Sequence, residues 1–164
     1  MHHFRKFNLR RSFLQIRAKR LSGAAFFDLS SRVCEIAHSA GALLFVNDRA
    51  DIARLSGADG LHVGQHDLTV AAARTILAPG ARVGLSTHSE AQIDAAIEQP
   101  LSYVAVGPLF GTSTKATGYT ARGLAQLREI RSLVRLPLVA IGGITTARAP
   151  SALVTRYRRS TAKP

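Results

Sequence analysis

A short apolar run that ends in polar residues or glycine, and is usually followed by a helical stretch, recurs along this chain. The repeat length is about 20 residues, which is typical of consecutive βα units. The clearest runs are LLFVNDR (43–49), GLHVGQHD (60–67), VGLSTHS (83–89), YVAVGPLFGTSTK (103–115) and PLVAIGGI (137–144). The βα loops of parallel α/β folds meet at the carboxyl ends of the strands. The polar residues at the ends of these runs are therefore the expected active-site residues.

The pattern contains about six βα units, including a first short strand that begins at Phe13. A (β/α)8 barrel needs eight units. An open doubly wound sheet needs about six, so the period alone leaves both architectures open. The last elements predicted are a strand over 138–141 and a helix that begins at Thr145.

Composition and charge narrow the class of protein. The chain has 164 residues and a formal net charge of +12, but the excess lies at the two ends. Residues 1–20 hold seven basic side chains and residues 148–164 hold five, with no acid in either, whereas the ten acids and the other ten basic residues balance in between. A nucleic-acid surface would run across the fold, so the neutral body predicts no nucleic-acid partner.

Neither a membrane span nor a disulfide is expected. No apolar run approaches the ~18 residues that a transmembrane helix needs. The single cysteine, Cys34, cannot form an intramolecular disulfide and is compatible with a reducing cytoplasm, which we predict as the location. Its apolar neighbours predict a small buried side chain.

Two carboxylates follow neighbouring strands. Asp48 ends the LLFVND run and Asp67 ends GLHVGQHD. Carboxylates at adjacent strand ends, completed by water and phosphate oxygens, suit Mg²⁺, although each alone could be a turn or helix-capping residue. His62 alternates with apolar neighbours and is predicted to be a core or rim histidine rather than a ligand.

Other polar strand ends could bind anions. The segment GPLFGTSTK (107–115) carries two hydroxyls at positions i and i+2 and a lysine, which could together hold a phosphate. The Gly142-Gly143 pair is predicted to lead into a helix N-terminus that favours anions. Gln15 and Lys19 end the first strand, where the lysine could neutralise a second phosphate. Ser86 ends another strand.

These motifs, taken in order, resemble the thiamine phosphate synthase family. They are QIRAK (15–19), VNDRADIA (46–53), GADGLHVGQHD (57–67), GLSTHS (84–89), YVAVGPLFGTSTK (103–115) and PLVAIGGIT (137–145). The resemblance implies a (β/α)8 TIM-barrel fold. It also implies a transferase that joins hydroxymethylpyrimidine diphosphate to hydroxyethylthiazole phosphate, with release of pyrophosphate.

Residue roles follow from the same resemblance. Asp48 and Asp67 would hold Mg²⁺, and Lys115 and Ser86 are the candidate catalytic residues. The pyrimidine diphosphate would contact Gln15, Ile16, Arg17, Ala18, Lys19, Asn47, Ser86 and Lys115. The thiazole phosphate would contact Thr112, Ser113, Thr114 and the backbone of Gly143. The family mechanism is dissociative, so charge on the leaving group is stabilised and no general base is required.

The two ends depart from the family pattern. We predict a basic non-family segment over 1–12, a synthase-like barrel domain over 13–153 and a basic non-family tail over 154–164. The first and eighth barrel strands are expected to be missing, which predicts weak activity and low stability.

Two other functions compete with the synthase. A thiazole tautomerase of the same barrel type would need no diphosphate-bound metal, and His88 is its best support. An inactive remnant of the synthase is the other alternative. Retention of Asp48, Asp67 and the QIRAK run favours the synthase.

Overall fold

The computed structural model describes residues 12–111 and 119–153. They belong to two compact units. The first contains the chain up to Leu85 together with Pro100–Ser102, and the second contains Ser86–Gln99 and the chain from Tyr103 onward. The predicted end segments 1–12 and 154–164 lie almost wholly outside the described residues, so the predicted domain boundaries stay a prediction.

Strands and helices alternate along the chain. The strands are β1 (Phe13–Ile16), β2 (Leu43–Asn47), β3 (Gly60–Val63), β4 (Arg82–Thr87), β5 (Tyr103–Val106) and β6 (Leu138–Ala140). The helices are α1 (Gly23–Ser39), α2 (Ala50–Leu55), α3 (Val70–Ile76), α4 (Glu90–Ile97), α5 (Gly123–Leu133) and α6 (Ala149–Ala152). Within the described ranges, no helix is both long and apolar enough to cross a membrane.

In the first unit the strands are parallel and follow chain order. β1 pairs with β2 so that Phe13 lies opposite Leu43, and β2 pairs with β3 so that Asn47 lies opposite His62. β3 in turn pairs with the beginning of β4, with Leu61 opposite Val83. Parallel strands in this arrangement bring their carboxyl ends to one edge, where the loops that follow β1, β2 and β3 begin.

The second unit continues the same order. Near the end of β4, the hydroxyl of Thr87 donates to the carbonyl oxygen of Ala105 at 3.0 Å, and the carbonyl oxygen of Thr87 accepts from the N–H of Gly107 at 3.3 Å. β5 then pairs with β6 in parallel, with Val104 opposite Leu138. A sheet in chain order is the singly wound arrangement of barrel folds, whereas a doubly wound sheet reverses its order part-way.

Buried apolar side chains make up most of the inner strands, as expected for a parallel sheet covered on both faces, whereas β1 and β6 contain no fully buried residue. Every residue of β2, β3 and β5 is buried. Helix starts are capped by hydroxyl side chains, because Ser22, Thr69 and Ser89 each accept a hydrogen bond from an N–H of the first turn. Cys34 packs with Ala37 and Leu44 and is only 4 % exposed, so its predicted structural role is confirmed.

The predicted α/β class of (β/α)8 type is confirmed, with six βα units in the described residues. The first strand begins at Phe13 as predicted, and the strand predicted over 138–141 ends one residue earlier, at Ala140. The helix predicted to begin at Thr145 is wrong, because α6 begins at Ala149 and has four residues. Thr145 instead begins a single turn that leads into α6. Its carbonyl oxygen accepts from the N–H groups of Arg148 and Ala149, and its hydroxyl accepts from the N–H of Arg148. Pro150 has no N–H with which to continue a helical ladder from that turn.

Gly60 begins β3 at a point where a side chain has no room. A Cβ there would lie 2.4 Å from Cε1 of Phe45 and 2.7 Å from the carbonyl oxygen of Arg82. Because a paired backbone oxygen cannot move aside easily, we expect Gly60→Ala to lower the free energy of unfolding by about 1–3 kcal/mol. Urea unfolding followed by circular dichroism measures this change.

Gly23 provides the matched control. A Cβ at Gly23 would come no closer than 3.6 Å to another group, and the residue lies in the first turn of α1. Gly23→Ala should leave stability unchanged or raise it by up to about 1 kcal/mol. Equal effects of the two substitutions would contradict the packing argument.

Candidate active site

The turn that follows β2 places a carboxylate in an uncommon backbone conformation. Asp48 has φ 65°, the left-handed region that residues other than glycine rarely adopt. Its N–H donates to the carbonyl oxygen of His62 on β3 at 2.9 Å, and the N–H of Arg49 donates to the carbonyl oxygen of Asn47 at 2.8 Å. These bonds fix the turn and direct the chain away from β3.

A chain of polar contacts connects the carboxyl ends of β1 and β2. The amide of Gln15 donates to Oδ1 of Asn47 at 2.5 Å, and Nδ2 of Asn47 donates to Oδ1 of Asp48. Nζ of Lys19 forms an ion pair with Oδ2 of Asp48 at 3.3 Å. Asn47 is buried, whereas the Lys19 side chain is 55 % exposed, so the cation remains accessible to a ligand.

The second predicted carboxylate lies beside the first. Asp67 accepts a hydrogen bond from the N–H of Gly64 on Oδ2 at 2.7 Å, which folds the segment after β3 back on itself. Burial raises the pKa of Asp48, and hydrogen bonding to Asp67 and its charge raise it further, while Lys19 lowers it. The cause of the second effect is repulsion, because two carboxylates this close disfavour ionisation of both.

His62 belongs to the buried wall of this cluster. Its side chain is 6 % exposed. Burial lowers the pKa of His62 from 6.5 to about 4, although the charge of Asp67 acts in the opposite direction. The ring is therefore neutral at physiological pH and adds no positive charge to the carboxylate pair, which agrees with its prediction as a core histidine.

The carboxylate pair suits a hard divalent cation. Among residues 12–111 and 119–153 there is no group of three or more His, Cys, Asp or Glu side chains that could hold a metal ion. Mg²⁺ differs from most metals in this respect, because it keeps several waters and often binds through one or two carboxylates and substrate phosphates. A divalent cation would also remove the repulsion that raises the pKa of Asp48, so the donor set fits Mg²⁺.

In the second unit, the turns that follow β5 and β6 lie backbone against backbone. The N–H of Leu109 donates to the carbonyl oxygen of Ile141 at 2.7 Å, and that of Phe110 donates to Gly142 at 3.0 Å. Gly142 and Gly143 have φ 88° and 65°. A Cβ at Gly143 would lie 2.6 Å from the carbonyl oxygen of Gly111, so only glycine permits this approach.

His88 lies at the same end of the second unit. Nδ1 is 2.7 Å from the carbonyl oxygen of Gly107, which can only accept, so Nδ1 carries the proton. The ring stacks on Tyr119 with 4.3 Å between centroids. The N–H of His88 donates to Oε1 of Gln92 at 2.7 Å. These contacts hold His88 as part of the scaffold at the end of β4.

The predicted site residues divide into three groups. The first group lies in the first unit, where five predicted residues meet in one cluster: Gln15, Lys19, Asn47, Asp48 and Asp67. The predicted residues between Gln15 and Lys19 form no side-chain hydrogen bond or ion pair with this cluster; they are Ile16, Arg17 and Ala18. Ser86 is half-buried on β4, and Gly143 lies in the turn after β6. Thr112, Ser113, Thr114 and Lys115 lie outside the described residues.

Sequence patterns did not single out every residue at these edges. Arg148 contacts the glycine turn after β6, yet it belongs to none of the sequence motifs. The sequence showed it only as one of the five basic residues in 148–164. The Gly142-Gly143 pair was singled out for a helix N-terminus, which is wrong because no helix begins at Thr145. Its actual feature is the positive φ of both glycines.

Comparison with known proteins identifies the family. The family model for thiamine monophosphate synthase matches residues 7–160. The chain belongs to the thiamine monophosphate synthase family. Its predicted membership, and the transferase class of its relatives, are thereby confirmed.

Individual relatives agree with this family. The chain is 47 % identical over 134 residues to a thiamine-phosphate synthase of Methanoculleus marisnigri, a match that covers 82 % of the chain and 64 % of the relative. It is 48 % identical over 128 residues to that of a Mycobacterium species, covering 77 % and 56 %. The chain thus spans less than two thirds of the length of these curated relatives.

A solved structure shares the fold. A thiamine phosphate pyrophosphorylase from Pyrococcus furiosus matches with a TM-score of 0.79 and 30 % sequence identity. The match covers 87 % of this chain and 67 % of that one. The two chains therefore share their fold over the matched region.

Asp67 should control the titration of its neighbour. We expect Asp67→Asn to lower the pKa of Asp48, but not to its ordinary value, because burial is the larger cause and remains. Lys19→Met should raise the pKa further, since the ammonium group favours the ionised form. Carbon-13 NMR titration of the aspartate carboxyls in EDTA measures both changes. Asp51→Asn is the control, because Asp51 forms its ion pair with Arg49 and should not affect Asp48. If Asp67→Asn left the pKa of Asp48 unchanged, the interaction between Asp48 and Asp67 would be refuted.

His62 should make stability depend on pH. Its folded-state pKa of about 4 lies below the ordinary 6.5. The unfolded chain therefore binds a proton first, and stability present above pH 6.5 falls by about 3 kcal/mol as the pH drops towards 4. Urea unfolding at pH 7 and pH 4.5 should show a smaller loss in His62→Gln than in the unmodified chain. Parallel losses would mean that His62 is not responsible.

Proposed function

We propose that this chain is a thiamine phosphate synthase. It would join hydroxymethylpyrimidine diphosphate to hydroxyethylthiazole phosphate, with release of pyrophosphate. The bond between the pyrimidine methylene carbon and the diphosphate oxygen breaks, and its electron pair leaves with pyrophosphate. The lone pair of the thiazole nitrogen then forms the new carbon–nitrogen bond, so no proton has to be removed.

The polar cluster of the first unit is the observation that supports this proposal. Two apposed carboxylates, a lysine that reaches one of them and a hydrogen-bonded pair of amide side chains lie together where β1, β2 and β3 end. A neutral or purely apolar ligand would gain nothing from this arrangement. A diphosphate with a divalent cation matches both its negative and its positive groups.

Mg²⁺ belongs to the proposal as the resident metal. Asp48 and Asp67 would hold it, and when bound it would neutralise negative charge on the leaving diphosphate. The amide of Gln15 orients Asn47, and Asn47 in turn orients the Asp48 carboxylate by a hydrogen bond. Lys19 adds a positive charge beside Asp48, which would draw the diphosphate to this edge.

The remaining roles rest on the family resemblance. Lys115 would stabilise charge on the leaving group, with Ser86 as a hydrogen-bonding partner of the same substrate. Thr112, Ser113, Thr114 and the backbone of Gly143 would hold the thiazole phosphate. The positive φ of Gly143 supports the last assignment, since successive backbone N–H groups in such turns bind anions. The lone cysteine supports a cytoplasmic location as part of the same proposal.

The direct test is the assay of both products. The 164-residue chain, supplied with both substrates and Mg²⁺, should form thiamine phosphate and pyrophosphate in equal amounts. Asp67→Asn should reduce the turnover number at least about 100-fold, because charge stabilisation on the leaving group acts in the transition state. The dissociation constant for hydroxyethylthiazole phosphate should change little.

Asp94→Asn is the matched control for that substitution. Asp94 is an exposed acid on α4, so this change removes the same charge away from the cluster and should leave turnover unaffected. Failure to form product with any divalent cation would contradict the proposed function. Isomerisation of a thiazole without pyrophosphate release would favour the tautomerase instead.

A further inference from the structure

The turn that follows β6 offers unused backbone donors. None of the described residues accepts a hydrogen bond from the backbone N–H groups of 143–147. The carbonyl oxygens of the same turn are engaged in part, since Gly142 accepts from Phe110 and Thr145 accepts from Arg148 and Ala149. The turn thus has more free donors than free acceptors, which favours an anion over a cation.

Arg148 adds a fixed positive charge to this turn. Nη1 donates to the carbonyl oxygen of Gly143 at 3.1 Å, and the guanidinium carbon lies 5.0 Å from the centre of the Phe110 ring. Phe110 immediately precedes Gly111, whose carbonyl oxygen lies against Gly143. Among the described residues Arg148 forms no ion pair with a carboxylate, so its charge is not neutralised there.

We propose that Arg148 is a further binding residue, which supplies the positive charge of an anion subsite at the Gly142-Gly143 turn and contacts the phosphate of the thiazole substrate. This inference rests on the proposed function for the identity of the substrate. The subsite itself rests on the observed cation and the free N–H groups beside it.

The geometry explains why the residue is an arginine. One N–H of the planar guanidinium is used by the Gly143 carbonyl, and its face lies on Phe110, which leaves other N–H groups of the fork for phosphate oxygens. A lysine could supply the charge but could not keep the stacked, forked arrangement. The ring and the carbonyl therefore hold the cation in place before the anion binds.

Inorganic phosphate is the probe that tests the subsite without the synthase reaction. Titration should shift the amide resonances of residues 143–145 in nitrogen-15 NMR spectra of the 164-residue chain. Arg148→Ala should raise the dissociation constant for phosphate at least about tenfold, because charge-assisted hydrogen bonds are lost. Arg148→Lys should have a smaller effect, about threefold.

Arg128→Ala is the matched control, since Arg128 is an exposed arginine on α5 and its loss changes the net charge equally. In the synthase assay, Arg148→Ala should raise KM for hydroxyethylthiazole phosphate about tenfold with little change in kcat, because the phosphate lies away from the reacting nitrogen. Binding of the unphosphorylated hydroxyethylthiazole should not change, which separates a phosphate contact from general loosening of the turn.

The outcomes separate the two proposals. The role of Arg148 would be overturned if phosphate did not shift the amide resonances of residues 143–145. It would also be overturned if Arg148→Ala and Arg128→Ala bound phosphate with equal affinity. Phosphate binding that depends on Arg148 in a chain without synthase turnover would sustain the subsite and overturn the synthase assignment.

Discussion

The parallel pairing of β2 with β3 is the constraint on which the carboxylate cluster depends. With Asn47 opposite His62, the next residue, Asp48, emerges from the sheet directly beside the start of the segment that carries Asp67. Strands that run in opposite directions would put these two carboxylates at opposite edges. The register therefore produces a local excess of negative charge, and Lys19 offsets part of it.

The second unit uses backbone geometry where the first uses side chains. The turns after β5 and β6 approach so closely that Gly107 and Gly142 would also clash as alanine, with Ile141 and Pro108 respectively. Because glycine has no side chain, the polar groups exposed at this contact are those of the peptide backbone. Peptide N–H groups carry only partial charge, so a nearby guanidinium has a large influence on what such a surface attracts.

Much of the fold could be predicted because its signals are local. Each strand is a short β-rich run that ends in polar residues or glycine, and the rule that strand ends converge is enough to bring Asp48 and Asp67 together. The contact between Gln15 and Asn47 could not be predicted in the same way, since it spans 32 residues and depends on the β1–β2 register. Arg148 was not found because stacking on Phe110 has no sequence pattern. The helix expected at Thr145 does not form there, because Pro150 has no N–H for the next helical hydrogen bond. A threonine alone, although common at helix N-caps, therefore misplaced the start of the helix.

At Asp48 the residue that would best stabilise the backbone differs from the residue that supplies a carboxylate. Folding alone would favour glycine there, because a side chain in this region costs roughly 1–2 kcal/mol and glycine avoids the strain. The carboxylate is nevertheless the group that faces Lys19 and Asp67. A search for stabilising substitutions would thus select against the aspartate, and a more stable variant at this position would have lost the carboxylate that we propose as a ligand of Mg²⁺.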